Sequence, residues 1–350
     1  MTLLKRLQGL RAMREGTSAP VPLGTRIKAW RHGFSGWSWL IYDLDNNDHR
    51  LYIPNTLSGR MANIDGPIAR SVLKNKLLFE RTFAAYANVP RIRAALERGS
   101  LTRLSDGFAP SSVAELVTWV ADTSSGVFVK PVDSSEGRGA HSLEGRDGAI
   151  LVDKRPLDAA AATRLISAQD GSIVTDLVRQ GAFGRSIFPV AVNTMRVVTM
   201  IDPDSGEPFV ASALHRFGTA ASAPTDNISR RGIRASIDVS TGVLAIGAAS
   251  WAYENGAFTA FPTHPETGAQ IAGVAVPGWN EVVDTLLGLV RRFPMLVYVG
   301  WDAVVGDDGV ILIEGNHSPN ITQQAAGPYL ADPRIRRFVE HHGVLAGTGL

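Results

Sequence analysis

The sequence predicts an α+β protein in which a small mixed subdomain adjoins a larger, mainly antiparallel sheet with helices. Two observations support this prediction. Short apolar segments and polar turns alternate around one helical segment through residues 126–176, which is typical of a compact βββαβ unit. After about Phe188 the apolar segments lengthen, and an Asp308-Gly309 step between two of them is a strong hairpin signal.

Composition limits the class of protein. A chain of 350 residues is long enough for one large or two modest domains, and 45% hydrophobic with 19% charged residues excludes wholesale disorder. Thirty-five basic against 33 acidic residues argue against a dedicated nucleic-acid binder. The chain has no cysteine, which excludes disulfides, thiolate metal sites and cysteine nucleophiles.

The first residues carry a leucine stripe between basic side chains. Residues 1–14 lack the features of a cleaved signal peptide, and no apolar run is long enough to cross a bilayer. We predict a short amphipathic helix that packs on the protein or on a partner, with weak peripheral membrane contact as the alternative. The protein is therefore predicted to be cytoplasmic.

Four regions are predicted along the chain. They are an N-terminal helical and irregular region (1–66), a helical linking region (67–122), a small subdomain (123–176) and a C-terminal subdomain (177–345). The predicted helices are 68–88, 112–122, 158–168 and 279–292. The predicted strands are 39–42, 127–130, 140–143, 149–152, 172–175, 194–201, 209–215, 233–239, 244–248, 297–304 and 310–313.

Three oxygen-bearing side chains converge on the last predicted hairpin. If its turn centres on Asp308-Gly309, Asp302 and Glu314 lie on adjacent strands near the open end. Glu314 and Asn316 are two residues apart, so their side chains point to the same face. Mg²⁺ prefers such oxygen ligands, and the pattern predicts a magnesium site. A solvated hairpin with ordinary polar residues is the alternative.

A lysine ends one of the short apolar strands. Lys130 is followed by a loop of small residues, 131–140, that can present backbone N–H groups to phosphate oxygens, while the lysine adds a compact positive charge. This is not the Walker A pattern, because no Gly-Lys-Ser/Thr step opens a helix. A flexible hairpin loop with an edge lysine is the alternative. In a longer apolar strand, Arg196 predicts an anionic partner, since an unpaired guanidinium is costly to bury.

Together these motifs resemble the ATP-grasp superfamily over residues 68–320. The resemblance lies in their order: a lysine strand with a Ser/Gly loop, an acid-bearing hinge, paired arginines and a terminal Asp…Glu-x-Asn. Residues 193–199 (Asn-Thr-Met-Arg-Val-Val-Thr) and 312–316 (Leu-Ile-Glu-Gly-Asn) look closest to the sugar-transfer-associated ATP-grasp group. That group is itself similar to the alpha-L-glutamate ligase type. The resemblance implies an ATP-grasp fold, with 123–176 as its lid and 177–345 as its catalytic subdomain.

The resemblance also implies ATP and one or two Mg²⁺ ions as cofactors. Lys76 and Lys130 would contact the nucleotide. The lid over the phosphates would contain Ser134, Ser135, Gly137 and Gly139. Asp176 and Val178 would lie in the hinge that binds ribose and adenine, with the register of the acid left open.

The remaining roles concern metal, phosphoryl group and substrate. The resemblance implies that Asp302, Glu314 and Asn316 bind the metal. Arg196 would contact both the nucleotide and the transferred phosphoryl group, and Arg196, Arg216 and Lys130 form the predicted catalytic set. The predicted substrate-binding residues are His215, Arg216, Asn227 and Arg231. The family segment that contains Asn227 usually ends in Gly-Gly, whereas this chain has Arg231-Gly232; a solvated basic turn is the alternative there.

The resemblance implies an ATP-dependent ligase that forms a carbon–nitrogen bond. ATP would phosphorylate a carboxylate to an acylphosphate, and an amine would displace phosphate to form an amide, in polysaccharide or secondary metabolism. The expected partners are ATP, a small-molecule carboxylate and an amine, and no nucleic acid. The alternatives are a small-molecule kinase of the same fold and a non-catalytic nucleotide-binding scaffold.

Overall fold

Two antiparallel sheets organise the protein. The structure, a computed structural model, describes residues 21–123, 125–132, 139–254 and 257–350. Within these residues each sheet has seven strands, in the spatial orders β2-β1-β7-β3-β4-β5-β6 and β12-β11-β10-β9-β8-β13-β14. The strands of the first sheet are β1 Ile92–Glu97, β2 Ser100–Arg103, β3 Gly126–Pro131, β4 His141–Arg146, β5 Ala149–Val152, β6 Arg155–Leu157 and β7 Ser172–Asp176. Those of the second are β8 Met195–Ile201, β9 Pro208–Phe217, β10 Ile233–Ser236, β11 Gly247–Glu254, β12 Ala257–Phe261, β13 Tyr298–Gly306 and β14 Gly309–Asn316.

Helices cover the sheets and form the N-terminal part of the described chain. They are α1 Leu23–Arg31, α2 Gly36–Ile41, α3 Ser58–Met61, α4 Pro67–Lys74, α5 Lys76–Phe83, α6 Val113–Thr123, α7 Ala159–Ser167, α8 Ala182–Ile187, α9 Trp279–Arg292 and α10 Pro333–His341. The predicted α+β class is confirmed. No helix among the described residues is long and apolar enough to cross a membrane.

The second sheet separates two apolar cores. On one face, α9 packs its buried residues, such as Leu286, against a core that contains Trp301 and Phe217. On the other face, Val198 and Tyr298 pack with residues of the N-terminal region and of α10. Because side chains alternate along a strand, every second residue of β8 and β13 reaches this second face.

Two predicted elements near the N-terminus are wrong. Residues 36–41 form α2 rather than a strand, because the Ser35 side chain accepts a hydrogen bond from Ser38 N (3.0 Å) and caps a helix. The single helix predicted over 68–88 is instead α4 and α5. Asn75 divides them, since its side chain accepts from Leu77 N and Leu78 N (3.0 and 3.1 Å) as the cap of the second helix.

The hairpin β1–β2 has no counterpart in the sequence prediction. Its turn places Arg98 and Gly99 at φ of 51° and 75°, the left-handed pair that tight antiparallel hairpins favour. Strand β1 pairs with β7, so the hairpin extends the first sheet. That sheet therefore draws strands from both the predicted linking region and the predicted lid region.

The last hairpin turns one residue earlier than predicted. Gly306 pairs with Gly309, so the turn residues are Asp307 and Asp308. Further along, the register shifts between the pairs Ala303–Leu312 and Asp302–Glu314, which leaves Ile313 as an extra residue in β14. This bulge sets the direction of the side chains that follow it.

Candidate active site

A buried carboxylate lies at the centre of the site, on the second sheet. Asp302, 5% exposed, accepts hydrogen bonds from Arg196 Nε at Oδ1 and from Arg196 Nη2 at Oδ2 (2.9 Å). Arg216 Nη2 lies 3.0 Å from the same Oδ2. Burial opposes ionisation, but the two guanidinium groups hold the pKa of Asp302 well below its usual range. The predicted anionic partner of Arg196 is therefore a carboxylate of the protein itself.

The bulge at Ile313 places Glu314 beside Asp302. Before the bulge, Val310 and Leu312 face the core; after it, Gly315 takes the core-facing position. Glu314 is consequently the register partner of Asp302 and shares its face of the sheet. Burial and the Asp302 carboxylate raise the pKa of Glu314. Asn316 follows on the same face and donates from Nδ2 to Gly300 O (3.3 Å).

A second carboxylate, Asp226, positions Arg216 through Thr194. Asp226 Oδ2 accepts from Thr194 N (2.7 Å) and from Thr194 Oγ1 (2.5 Å), and Arg216 Nε donates to Thr194 Oγ1 (2.8 Å). Despite burial, Asp302 and Asp226 raise the pKa of Arg216 above its usual range. Thr194 and Asp226 were not predicted from the sequence. The only signal in the sequence was the short polar side chain of Thr194, directly before the strand that carries Arg196.

Lys130 reaches this cluster from the first sheet. It lies near the end of β3, and burial lowers its pKa to about 8, an effect that Glu314 opposes and Lys76 reinforces. Lys76, the first residue of α5, donates from Nζ to Val132 O (3.1 Å), just beyond β3. The structure thus brings both predicted lysines, Arg196, Arg216, Asp302 and Glu314 into one electrostatic group between the two sheets.

The predicted hinge lies at the end of β7. The Asp176 carboxylate is already paired, with Arg93 Nε at 2.6 Å and Nη2 at 3.1 Å, and this arginine of β1 was not predicted. Val178 is half-buried two residues further on. Predicting the pair from the sequence would have required the unpredicted hairpin β1–β2.

Two predicted substrate residues do not join the cluster. His215 neighbours Arg216 in sequence but points to the opposite face of the sheet, where its ring stacks on Phe217 at 4.4 Å, and burial lowers its pKa to about 4. Arg231 is exposed, with its guanidinium 4.8 Å from the centre of the Trp251 ring. The Arg231 backbone is left-handed (φ 73°), the conformation that the glycine of the family pattern adopts most easily.

The other predicted residues are a turn residue and the lid. The Asn227 side chain accepts from Ser229 N (3.0 Å) and caps the turn that follows. Gly139 is left-handed (φ 69°), and a side chain there would meet Pro131 and Gln169. Ser134, Ser135 and Gly137 lie outside the described residues, as does the predicted N-terminal amphipathic helix.

The sequence pattern of one family covers most of the chain. The model of the family described as sugar-transfer associated ATP-grasp matches residues 63–338. The chain belongs to this family. The ATP-grasp resemblance inferred from the motifs is thereby confirmed. No curated protein matches the chain.

Three solved structures illustrate what the chain is similar to. VanG D-Ala:D-Ser ligase from Enterococcus faecalis is 10% identical, with 79% of this chain and 64% of that chain covered and a TM-score of 0.44. D-alanyl-alanine synthetase A from Vibrio cholerae is 13% identical, with 80% and 63% covered and a TM-score of 0.38. D-cycloserine synthetase DcsG is 14% identical, with 88% and 82% covered and a TM-score of 0.40. The chain thus spans less than two thirds of the length of the first two proteins.

Proposed function

We propose that this protein is an ATP- and Mg²⁺-dependent ligase that joins a small-molecule carboxylate to an amine. The observation that carries the proposal is the pairing of one buried carboxylate, Asp302, with two arginines. Lys130 of the other sheet lies close enough to Glu314 for each to influence the pKa of the other. The two arginines and Lys130 thus place positive charge around the buried Asp302 carboxylate. Positioning and charge stabilisation of this kind are what phosphoryl transfer requires of a protein.

Arg196 and Arg216 each have N–H donors that are not used in contacts with the described residues. Arg196 contacts its partners through Nε and Nη2, and so does Arg216. Within the described chain, Nη1 of each arginine has no partner. A guanidinium has five N–H donors in a fixed plane. Arg196 and Arg216 can therefore hold an incoming oxyanion without releasing Asp302.

The oxygen donors at the bulge fit a magnesium ion. No three His, Cys, Asp or Glu residues of the described chain form a metal-binding group. The proposed magnesium ligands are instead two carboxylates and one amide. Asp302 has about four lone-pair sites, of which two accept hydrogen bonds from Arg196 and one faces Arg216 in an ion pair. The Asn316 amide nitrogen donates to Gly300 O, which leaves the amide oxygen for a cation. Asp302, Glu314 and Asn316 would hold Mg²⁺, which when bound neutralises ATP phosphate charge. A cation would also relieve the repulsion that raises the pKa of Glu314.

The proposed reaction has two steps. A substrate carboxylate oxygen attacks the γ-phosphorus of ATP, the bond from that phosphorus to the β,γ-bridging oxygen breaks, and ADP leaves. The amine nitrogen then attacks the acyl carbon, the bond to the phosphate oxygen breaks, and the nitrogen loses a proton. Positive charge would stabilise both the transferring phosphoryl group and the departing phosphate; it would come from Arg196, Arg216 and Lys130. No side-chain nucleophile is needed.

The nucleotide would extend from this cluster towards the hinge. We assign adenine and ribose to the segment of Asp176 and Val178. For the Asp176 carboxylate to bind ribose, its ion pair with Arg93 must open or the carboxylate must contact both groups. Lys76 and Lys130 would contact the phosphates beneath the loop that contains Ser134, Ser135, Gly137 and Gly139. Asn227 and Arg231 would affect substrate binding through the turn they form rather than through direct contact with the Asp302 cluster. The metabolic setting we propose is polysaccharide or secondary metabolism.

A coupled assay with a chemical trap tests the proposal. A panel of carboxylates and amines is screened for ADP and phosphate release, and hydroxylamine is supplied in place of the amine. We expect release only when a carboxylate is present, together with a hydroxamate, because hydroxylamine intercepts acylphosphates. A stable phosphorylated product without hydroxamate would favour the kinase. ATP binding without any cleavage across the panel would favour the scaffold.

A further inference from the structure

A third arginine lies beside the cluster and was not assigned a role above. Arg234 of β10 is the register partner of Arg216 in β9. Cross-strand partners share a face of the sheet, so Arg234 points to the same side as Arg216 and Asp302. Arg234 is half-buried, one strand further from the hairpin that carries Glu314.

The charge of Arg234 has no counter-ion among the residues that the structure describes. Arg216 is paired with Asp302 and lies 3.7 Å from Asp226, whereas no hydrogen bond or ion pair joins Arg234 to any described residue. Burial lowers the pKa of Arg234, and among the described residues Tyr42 opposes this effect. Like charges placed opposite each other on adjacent strands are destabilising, and partial burial of a guanidinium without a counter-ion adds to that cost. Such an arrangement is expected where a ligand supplies the missing anion.

The residues beside Arg234 on this face of the sheet are small. Its register partner on the other side is Ala248, which in turn is paired with Ala260, so small side chains continue this face of the sheet. The N-terminal region encloses the same face, because Trp37 contacts Phe258 with ring centres 5.4 Å apart. Tyr42, from the same region, lies close enough to Arg234 for each to influence the pKa of the other. These N-terminal residues precede the family match, which begins at residue 63.

We propose that Arg234 binds a second carboxylate of the substrate, one that is not phosphorylated, in a recess that the N-terminal region closes. This inference rests on the proposed ligase function, and it names the substrate class as a dicarboxylate or an acid with an equivalent second oxyanion. Strands lie about 4.8 Å apart, so Arg234 is about 5 Å from the Arg216 strand and about 10 Å from the Arg196 strand. One unpaired guanidinium matches the single charge of a carboxylate, with which it forms two parallel hydrogen bonds.

Equilibrium binding without ATP tests the inference separately from turnover. Malonate, succinate, glutarate, adipate, pimelate and suberate are titrated against monocarboxylates of equal chain length and against inorganic phosphate, at matched ionic strength. Arg234→Gln removes the charge, Arg234→Lys keeps it without the planar fork, and Arg155→Gln is the control, since Arg155 is exposed on β6 of the other sheet.

We expect dicarboxylates of intermediate length to bind the natural protein more tightly than their monocarboxylate counterparts. Arg234→Gln should weaken that binding about 10- to 100-fold, Arg234→Lys should weaken it less, and Arg155→Gln should not change it. Without ligand, Arg234→Gln should unfold at the same or a higher urea concentration. Four results would each overturn the inference. Dicarboxylates bind the natural protein and Arg234→Gln equally, or they bind neither. Inorganic phosphate binds more tightly than the dicarboxylates, or Arg234→Gln is markedly less stable than the natural protein. Failure of the hydroxamate assay with Arg234-dependent binding retained would instead reject only the ligase reaction.

Discussion

Asp302 and Glu314 are register partners across the last hairpin, and they are so because β14 contains one extra residue, Ile313. The two carboxylates lie on one face yet have opposite electrostatic environments. Arg196 and Arg216 compensate Asp302, whereas Glu314 has Asp302 itself as a neighbour and Lys130 across the cleft. Their substitution should therefore have opposite effects on stability even though both should abolish activity.

Replacement of Asp302 should cost stability as well as activity. Asp302→Asn leaves two largely buried guanidinium groups without their shared counter-ion, and breaking a buried pair in this way typically costs about 3–5 kcal/mol. The lowered pKa of Asp302 means that its contribution is present above the unfolded-state pKa and is lost as the pH falls. Urea denaturation at pH 7 and at pH 3 measures both effects. An unchanged unfolding midpoint at pH 7 would contradict the ion-pair network.

Replacement of Glu314 should remove activity but spare the fold. Because the pKa of Glu314 is raised in the folded state, its ionised form costs stability above the unfolded-state pKa. Glu314→Gln should unfold at an equal or higher urea concentration at pH 7 and should lose Mg²⁺-dependent turnover. Asp302→Asn is the matched control. Full turnover of Glu314→Gln would remove Glu314 from the proposed metal site.

ATP affinity should decrease as the pH rises above about 8. Lys130 has a pKa of about 8 in the folded protein, so below this pH its ammonium is charged and attracts phosphate, and above it the charge is lost. Calorimetric titration of ATP from pH 6.5 to 9.5 at constant ionic strength measures this dependence. Lys130→Met should abolish it and raise the stability of the ATP-free protein, and Lys130→Arg should not fully restore binding because a planar fork differs from a compact charge. Identical pH profiles for the natural protein and Lys130→Met would contradict a nucleotide role.

A buried acid outside the site should make stability depend on pH. Asp65 is 1% exposed, accepts from Tyr298 N at Oδ1 (3.0 Å) and has no partner for Oδ2 among the described residues. Burial raises its pKa to about 7, so the folded state binds more protons than the unfolded state and stability falls as the pH rises towards 7. Asp65→Asn should stabilise the protein by up to about 4 kcal/mol at pH 8 and by much less at pH 4. The same pH slope in both proteins would show that Asp65 does not titrate as described.

Regular periodicity was sufficient to predict much of the fold. Helix α9 has the predicted bounds, and α7 begins after Asp158, whose side chain accepts from Ala161 N (2.7 Å). The hairpin β1–β2 was missed because Ala, Leu and Glu in β1 favour helices, while its pairing with β7 decides the outcome. The Arg98-Gly99 turn was the available signal.

The candidate site was predictable as a set of residues but not as a geometry. A turn one residue early and a bulge at Ile313 together produce the Asp302–Glu314 pairing, and neither feature has a distinct local signature. His215 and Arg216 are adjacent in sequence, yet alternation along β9 sends them to opposite faces. An arginine in an apolar strand needs an anionic partner, and this requirement holds for Arg234 as it does for Arg196.

The most direct test of the central claim follows oxygen from the carboxylate to phosphate. A substrate acid labelled with ¹⁸O in both carboxyl oxygens is turned over with unlabelled ATP and an amine, and the released inorganic phosphate is analysed by mass spectrometry. If the carboxylate attacks the γ-phosphorus, each phosphate carries one ¹⁸O and the amide keeps the other. Unlabelled phosphate, or a stable phosphorylated product with no free phosphate, would contradict an acylphosphate ligase.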